Sequence, residues 1–249
     1  MDIPDINRRT VLTFASGAIT GGAITGGYLT SLSELDTRSA RPQTENPTPT
    51  EGEDTEETSP PVQLSNRPRL GSDEAPVTML YYSDFQCPFC AKFEAEALPE
   101  IQDNHISSAE EVRLIVKPLG VFGDDSLRAA QAAHSVWRQV DGDQDIFWSW
   151  YETVTDAYDG EQNSGWASVD NLVSLSDSFN GVSGDSIRTH LENSKYESAV
   201  AADFEEGREQ GLQGTPYFIV YGDDFDESRT ISGAQPYSRF ETVIDSYLE

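Results

Sequence analysis

The stretch YYSDFQCPFC, residues 81–90, holds the only two cysteines of a 249-residue chain, Cys87 and Cys90, with Pro88 and Phe89 between them. Before them, APVTMLYYSDF (75–85) is a β-branched and aromatic run that ends in polar residues, the pattern of a buried strand. After them, AKFEAEALPEIQDNH (91–105) reads as a helix, so the cysteines fall at a strand-to-helix turn. Proline suits the first helical turn, where its missing N–H removes no bond, and Cys87 is therefore expected at the N-cap. Backbone N–H groups and the positive helix end then favour thiolate over thiol, making Cys87 a nucleophile in one direction and a good leaving group in the other. Cys90, one turn on, is expected to be the more buried, resolving thiol.

Two other uses of the pair carry less weight. A disulfide between residues three apart closes too small a loop to remove much unfolded-state entropy, so a purely structural bridge gains little. A metal site needs more ligands, and His105, His134 and His190 have no ligand spacing to one another, so no metal and no cofactor are expected.

Working outward, EEVRLIVKPLG (110–120) reads as a second buried strand closed by Pro118, which completes a parallel β-α-β unit with the cysteines at the carboxyl end of a strand. Residues 124–211 then show helical i, i+3, i+4 spacing in several segments with Asp or Ser at their starts, and four or five helices are expected there. Trp137, Trp148, Trp150 and Trp166 all fall in this part and are read as its core. GTPYFIVYGDD (214–224) and SRTISG (228–233) resemble a β-hairpin, and YSRFETVIDSYL (237–248) a closing amphipathic helix.

Three features in this order, DFQCPFC after a strand, GTPYF before the next and ISGAQPYSRFETVID at the end, resemble the DsbA-like thiol:disulfide oxidoreductases of the thioredoxin superfamily. The resemblance covers residues 68–249 and implies an α/β, thioredoxin-like fold with an all-helical insertion at about 124–211. It also implies catalytic Cys87 and Cys90, with Thr215-Pro216 as a cis-proline loop facing them. Thr215, Pro216, Pro88 and Phe89 are then the candidate substrate-binding residues. The implied partners are cysteine-containing exported proteins and a redox partner that resets the dithiol. Oxidation of cysteine pairs is the favoured direction; isomerase, reductase and a non-enzymatic protein- or copper-binding module stay open. One departure stands out: where many members carry a buried acid, six residues before the first cysteine, this chain has Tyr81. Tyrosine is no carboxylate near neutral pH. Asp84 is expected to cap the turn, and Lys117 to be a strand-end lysine whose amine reaches water.

Charge and the N-terminal third add context. Sixteen Lys and Arg stand against 44 Asp and Glu, a formal net charge of -28 spread along the sequence, so nucleic acid is excluded as a natural partner. Lysine is confined to Lys92, Lys117 and Lys195, and the acidic, lysine-poor balance resembles proteins of salt-loving microbes. Arg8 and Arg9 precede an uncharged Gly-, Thr- and Ala-rich run over 10–33, which resembles a twin-arginine export signal and is long enough for a membrane anchor. Residues 1–33 are thus read as export signal or anchor. Residues 34–67, crowded with Pro, Thr, Glu and Ser, lack the apolar surface needed to offset ordering entropy and are read as a disordered linker.

Overall fold

The computed structural model describes Leu64, residues 66–224 and residues 227–249. The expectations for 1–33 and for nearly all of 34–67 concern residues outside these. The architecture is mixed: a five-stranded sheet and seven α-helices. In chain order these are β1 (Arg69–Leu70), β2 (Val77–Ser83), α1 (Pro88–Ile101), β3 (Val112–Pro118), α2 (Asp124–Gln139), α3 (Gln144–Asp156), α4 (Val169–Ser176), α5 (Gly184–Glu192), α6 (Glu197–Glu209), β4 (Tyr217–Tyr221), β5 (Ser228–Ser232) and α7 (Tyr237–Leu248). A π-helical turn, Gln102–Ile106, extends α1.

The strand order is β1-β3-β2-β4-β5. β2 lies at the centre, parallel to β3 and antiparallel to β4, and every one of its residues is buried, which is why it reads as an unbroken apolar run. Alternate side chains point to opposite faces. Met79 and Tyr81 join the core built with Phe93 of α1, Phe240 of α7 and Trp150 and Tyr151 of α3, while Leu80 and Tyr82 face Ile219 and Leu212, with Phe204 of α6 packed on that side. The expected β-α-β unit, terminal hairpin and closing helix are all present.

Five helices, α2 to α6, fill the interval between β3 and β4, and the four tryptophans there are buried. β1 was not foreseen: two residues give no periodicity to read, and their pairing partners, Ile115 and Leu114, lie far along the chain. Arg67, just before it, pairs with the buried Asp203 of α6. Lys117 corrects the sequence reading. Its amine does not reach water; the side chain is fully buried and pairs with Asp203 at 3.6 Å and with Glu206. The cause is α6, which lays two carboxylates against the end of β3. No composition signal places those three residues together. Among the described residues no helix is long and apolar enough to cross a membrane.

Candidate active site

α1 begins where the sequence predicts: Cys87 is the N-cap, with extended backbone, and Pro88 opens the helix. The turn before it is clamped from several sides. The Asp84 carboxylate accepts from the Gln86 N–H and the Ser126 hydroxyl through one oxygen and from the Val121 N–H through the other, so Asp84 does cap the turn. Gln86 is anchored by the insertion: its amide nitrogen donates to Ser126 at 2.7 Å, and its oxygen accepts from the Asn163 N–H at 2.7 Å and the Trp166 indole at 3.3 Å. Gly123 permits that closure, since at φ +107° its missing Cβ would meet the Asn163 side chain at 2.5 Å. The helical insertion thus fixes the residue immediately before Cys87.

β4 approaches from the other side. It runs antiparallel to β2, with Tyr217 opposite Tyr82, so its beginning lies at the carboxyl end of β2, beside the cysteines. The Thr215-Pro216 peptide bond is cis. The Cys87 thiol donates to the Thr215 carbonyl across 3.2 Å. The buried Thr215 hydroxyl has no hydrogen-bond partner of normal geometry and is near enough to the Cys87 sulfur to favour its anion.

Both cysteines are in the dithiol form and almost wholly buried, Cys87 at 2% and Cys90 at 1% exposure. At the sulfurs themselves Cys87, under the Thr215 loop, is only partly desolvated and Cys90 more deeply so, and the two differ in their hydrogen bonding as well. The Cys90 thiol, then the Thr215 hydroxyl and the N–H groups of Cys90 and Phe89, hold the Cys87 sulfur as an anion against its partial desolvation and bring its pKa down to about 6. Burial pushes Cys90 the opposite way, and donating its proton to the Cys87 sulfur keeps it neutral.

The remaining candidates sort by exposure. Phe89 projects outward at 60% exposure and Pro88 is also exposed, so both are available for contact. Phe85 and Tyr217 are buried core. Two clefts flank the Thr215-Pro216 loop. One, about 520 Å³, is bounded by Val121, Phe122, Phe204 and Leu212; the other, about 480 Å³, by Tyr217, Thr230 and Ser232. The histidines are engaged elsewhere: His105 with Glu111 and Tyr237, His134 stacked on Tyr196, and His190 with Ser135.

Sequence reasoning missed Glu94. It lies in α1, four residues after Cys90, and its carboxylate accepts from the Tyr81 hydroxyl at 2.8 Å and the Tyr151 hydroxyl at 3.0 Å. Its spacing from Cys90 was the available signal, since residues four apart share a helix face. The two tyrosines come from distant segments and give no such signal. Burial raises the Glu94 carboxyl to about 7 despite these donors.

One sulfur kept anionic beside a neutral, buried partner is poised to pass a disulfide to another molecule and take it back. On this sheet, with this insertion, the pair defines a thiol:disulfide oxidoreductase. Residues 64–245 match the family model described as Thioredoxin (Thioredoxin_4), and the chain belongs to that family. It is 27% identical over 187 residues to disulfide bond formation protein D of Bacillus subtilis, covering 75% of this chain and 79% of that one. The crystal structure of oxidised BdbD from Bacillus subtilis superposes with a TM-score of 0.65 at 25% identity, covering 75% of this chain and 95% of that one. Wolbachia pipientis α-DsbA1, at 20% identity, shares the fold with a TM-score of 0.60 over 75% of this chain and 92% of its own.

Proposed function

We propose that this enzyme oxidises cysteine pairs of exported proteins outside the cytoplasm, through the Cys87-Cys90 disulfide. The observation that carries the direction is the place of the Cys87 sulfur at the N-cap of α1, where the Cys90 thiol and the helix N–H groups favour its anion: whatever lowers the energy of the reduced form makes the disulfide easier to give away. The name of the Bacillus subtilis relative supports the same reading. In this account a substrate thiolate attacks the Cys87 sulfur, the bond to Cys90 breaks, and the electron pair leaves on Cys90. The substrate's second thiolate then attacks the substrate sulfur bonded to Cys87, that bond breaks, and Cys87 leaves as thiolate with a substrate disulfide formed. The Thr215-Pro216 loop and the exposed Pro88 and Phe89 supply the contact surface for an extended substrate segment, and the two flanking clefts receive its side chains. A redox partner bearing a disulfide or quinone restores the oxidised enzyme.

Export rests on the sequence alone, on Arg8 and Arg9 ahead of the uncharged run 10–33. That run delivers the domain across the membrane or holds it there, and the net charge of -28 suits a concentrated-salt medium. The test of function is oxidative refolding. Catalytic amounts of the oxidised enzyme are expected to speed recovery of a reduced, unfolded disulfide protein in high salt, with Cys87→Ala inert. Catalysed reduction of insulin without catalysed refolding would reverse the proposed direction. Fractionation of an Arg8→Lys, Arg9→Lys variant tests the export route, which requires the variant to stay in the cytoplasm.

A further inference from the structure

We propose that a groove leaving the active site along α6 selects substrates by the segment next to their reacting cysteine: a carboxylate beside the cysteine, apolar side chains after it, and a basic side chain about five residues away. The proposal rests on the reading of the dithiol just given and names the substrate that site takes. The cleft beside Thr215 does not end at Phe204. Val121 and Phe204 also line a second cleft, of about 370 Å³, which reaches Val200 and Leu127. Together they form one groove between α6 and the turn from β3 into α2. Phe204 packs on the sheet face opposite the one that carries Phe240 of α7, so this groove runs on the α6 side.

One face of α6 builds a wall of the groove. Glu197, Ala201, Phe204 and Arg208 follow at steps of four, three and four residues, which align side chains on a helix, with Val200 beside them. The stripe is acidic at one end, apolar in the middle and cationic at the other. Gly120, Val121 and Leu127 stand across from it. Apolar surface is left uncovered here: Val121 is 39% exposed, Ala201 is exposed and Phe204 half-buried. Leu127, also half-buried, joins neither apolar core.

The charges decide the occupant. Among the described residues Arg208 is the one charged side chain lining the cleft beside Thr215, on a chain with 16 Lys and Arg against 44 Asp and Glu. Its guanidinium lies over the Phe204 ring at 5.9 Å and is 3.9 Å from Glu205, an exposed pair that costs little to exchange for a substrate carboxylate. Glu197 is likewise the one charged side chain of the farther cleft. From Glu197 to Arg208 the helix advances roughly 16 Å, at about 1.5 Å per residue. An extended chain covers that in about five residues. The cysteine sets the register, because its sulfur must meet Cys87, whose thiol bonds the Thr215 carbonyl at the near end of the groove. A segment charged the other way round puts a cation against Arg208 and a carboxylate against Glu197. Both residues also stand where the helix dipole favours them, in the last and first turns of α6, so the test varies the ligand at constant composition.

The test uses the oxidised full chain and reduced peptides with one cysteine pair, flanked on each side by about five residues. In the first peptide each flank has aspartate next to the cysteine, leucine and valine in the middle and lysine at the outer end. The second exchanges aspartate and lysine; the third keeps the charges of the first and replaces its apolar residues by serine. Single-turnover transfer of the enzyme disulfide to the peptide is followed at about 0.1 and 1 M salt. At the lower salt the first peptide is expected to react about fivefold faster than the second. It is expected to react about tenfold faster than the third. At about 1 M salt, where the Debye length is roughly 3 Å, the charge preference is expected to fall towards one and the apolar preference to hold. Arg208→Glu combined with Glu197→Arg is expected to invert the preference between the first two peptides. Phe204→Ser is expected to remove most of the third peptide's disadvantage. Each readout is a ratio, which a smaller folded fraction leaves unchanged. If the double variant does not fold, Arg208→Gln alone is expected to bring the first ratio down to about twofold. A photoreactive phenylalanine in place of the peptide's leucine is expected to label residues within 120–127 or 197–208. A groove already filled by the N-terminal residues of this chain or by a second copy would give equal rates for all three peptides, and that result overturns the proposal. Labelling confined to β5 and α7 overturns it too. An enzyme that transfers its disulfide to none of the peptides overturns the reading of the dithiol instead.

Discussion

The Tyr81 hydroxyl donates a 2.8 Å hydrogen bond to the Glu94 carboxylate. The strand position where the family resemblance leads one to look for an acid thus presents a hydroxyl that holds an acid arriving from α1. The arrangement has a stability signature. Burial raises the Glu94 carboxyl from 4.5 to about 7, so between these values the folded state binds more protons than the unfolded state. Stability therefore falls as pH rises from about 4.5 to 7 and is level above. Glu94→Gln, which never ionises, is expected to match wild type near pH 4 and to exceed it above pH 7 by roughly 1–3 kcal/mol. Denaturant melts at the two pH values check this, and an equal difference at both would remove the buried-charge explanation.

The two sulfurs should behave differently when separated. Cys87→Ala is expected to abolish exchange, because the Cys90 thiol is buried and neutral, out of reach of a substrate and without the thiolate that attacks. Cys90→Ala keeps the attacking sulfur and lacks the group that resolves its mixed disulfides, so substrates should accumulate as covalent adducts. Non-reducing gels distinguish the two outcomes, and equal trapping by both variants would cancel the assignment of roles.

Thr215→Val tests the donor opposite Cys87. The change keeps the shape of the side chain and removes the hydroxyl that interacts with the sulfur. Hydrogen bonds to charged groups contribute about 1.5–3 kcal/mol, so the Cys87 pKa is expected to rise by about 1. The pH dependence of alkylation measures it; a constant value would mean that the Cys90 thiol and the helix N–H groups suffice.

Lys117 is expected to matter for stability. Removing it by Lys117→Met leaves Asp203 and Glu206 facing each other across the end of β3, with Arg67 still pairing Asp203. Breaking a buried pair from one side costs about 3–5 kcal/mol, and the remaining arginine should hold the loss to roughly 2–4 kcal/mol. Adding Glu206→Gln should recover part of it. A Lys117→Met protein as stable as wild type would show that the cluster contributes no net stabilisation.

How far the molecule was legible from its sequence follows from the range of each interaction. The Cys87 N-cap, the β-α-β unit, the hairpin and the closing helix are written in local pattern: Pro88 in the first helical turn, the unbroken β-branched and aromatic run of β2, helical spacing after Gly123. Asp84 was readable as a cap because its donors include a residue only two away. Lys117, Gln86 and Glu94 were not readable, or were misread, because their partners, Asp203, Asn163 and Tyr151, sit on the helical insertion and meet them only after folding. A one-dimensional pattern records which face a residue takes; it does not record which distant residue will come to that face. The hydrogen bond from Cys87 to the Thr215 carbonyl has the same long-range origin, since the Thr215 loop is brought there by the pairing of β4 with β2.

The most direct test is the reduction potential of the Cys87/Cys90 couple, equilibrated against glutathione at pH 7 in high salt with circular dichroism confirming the fold. A Cys87 sulfur with a pKa near 6 stabilises the dithiol, and the couple is expected above about −180 mV, on the oxidising side of the known range. A potential near that of thioredoxin, about −270 mV, would show a reducing couple and contradict the account.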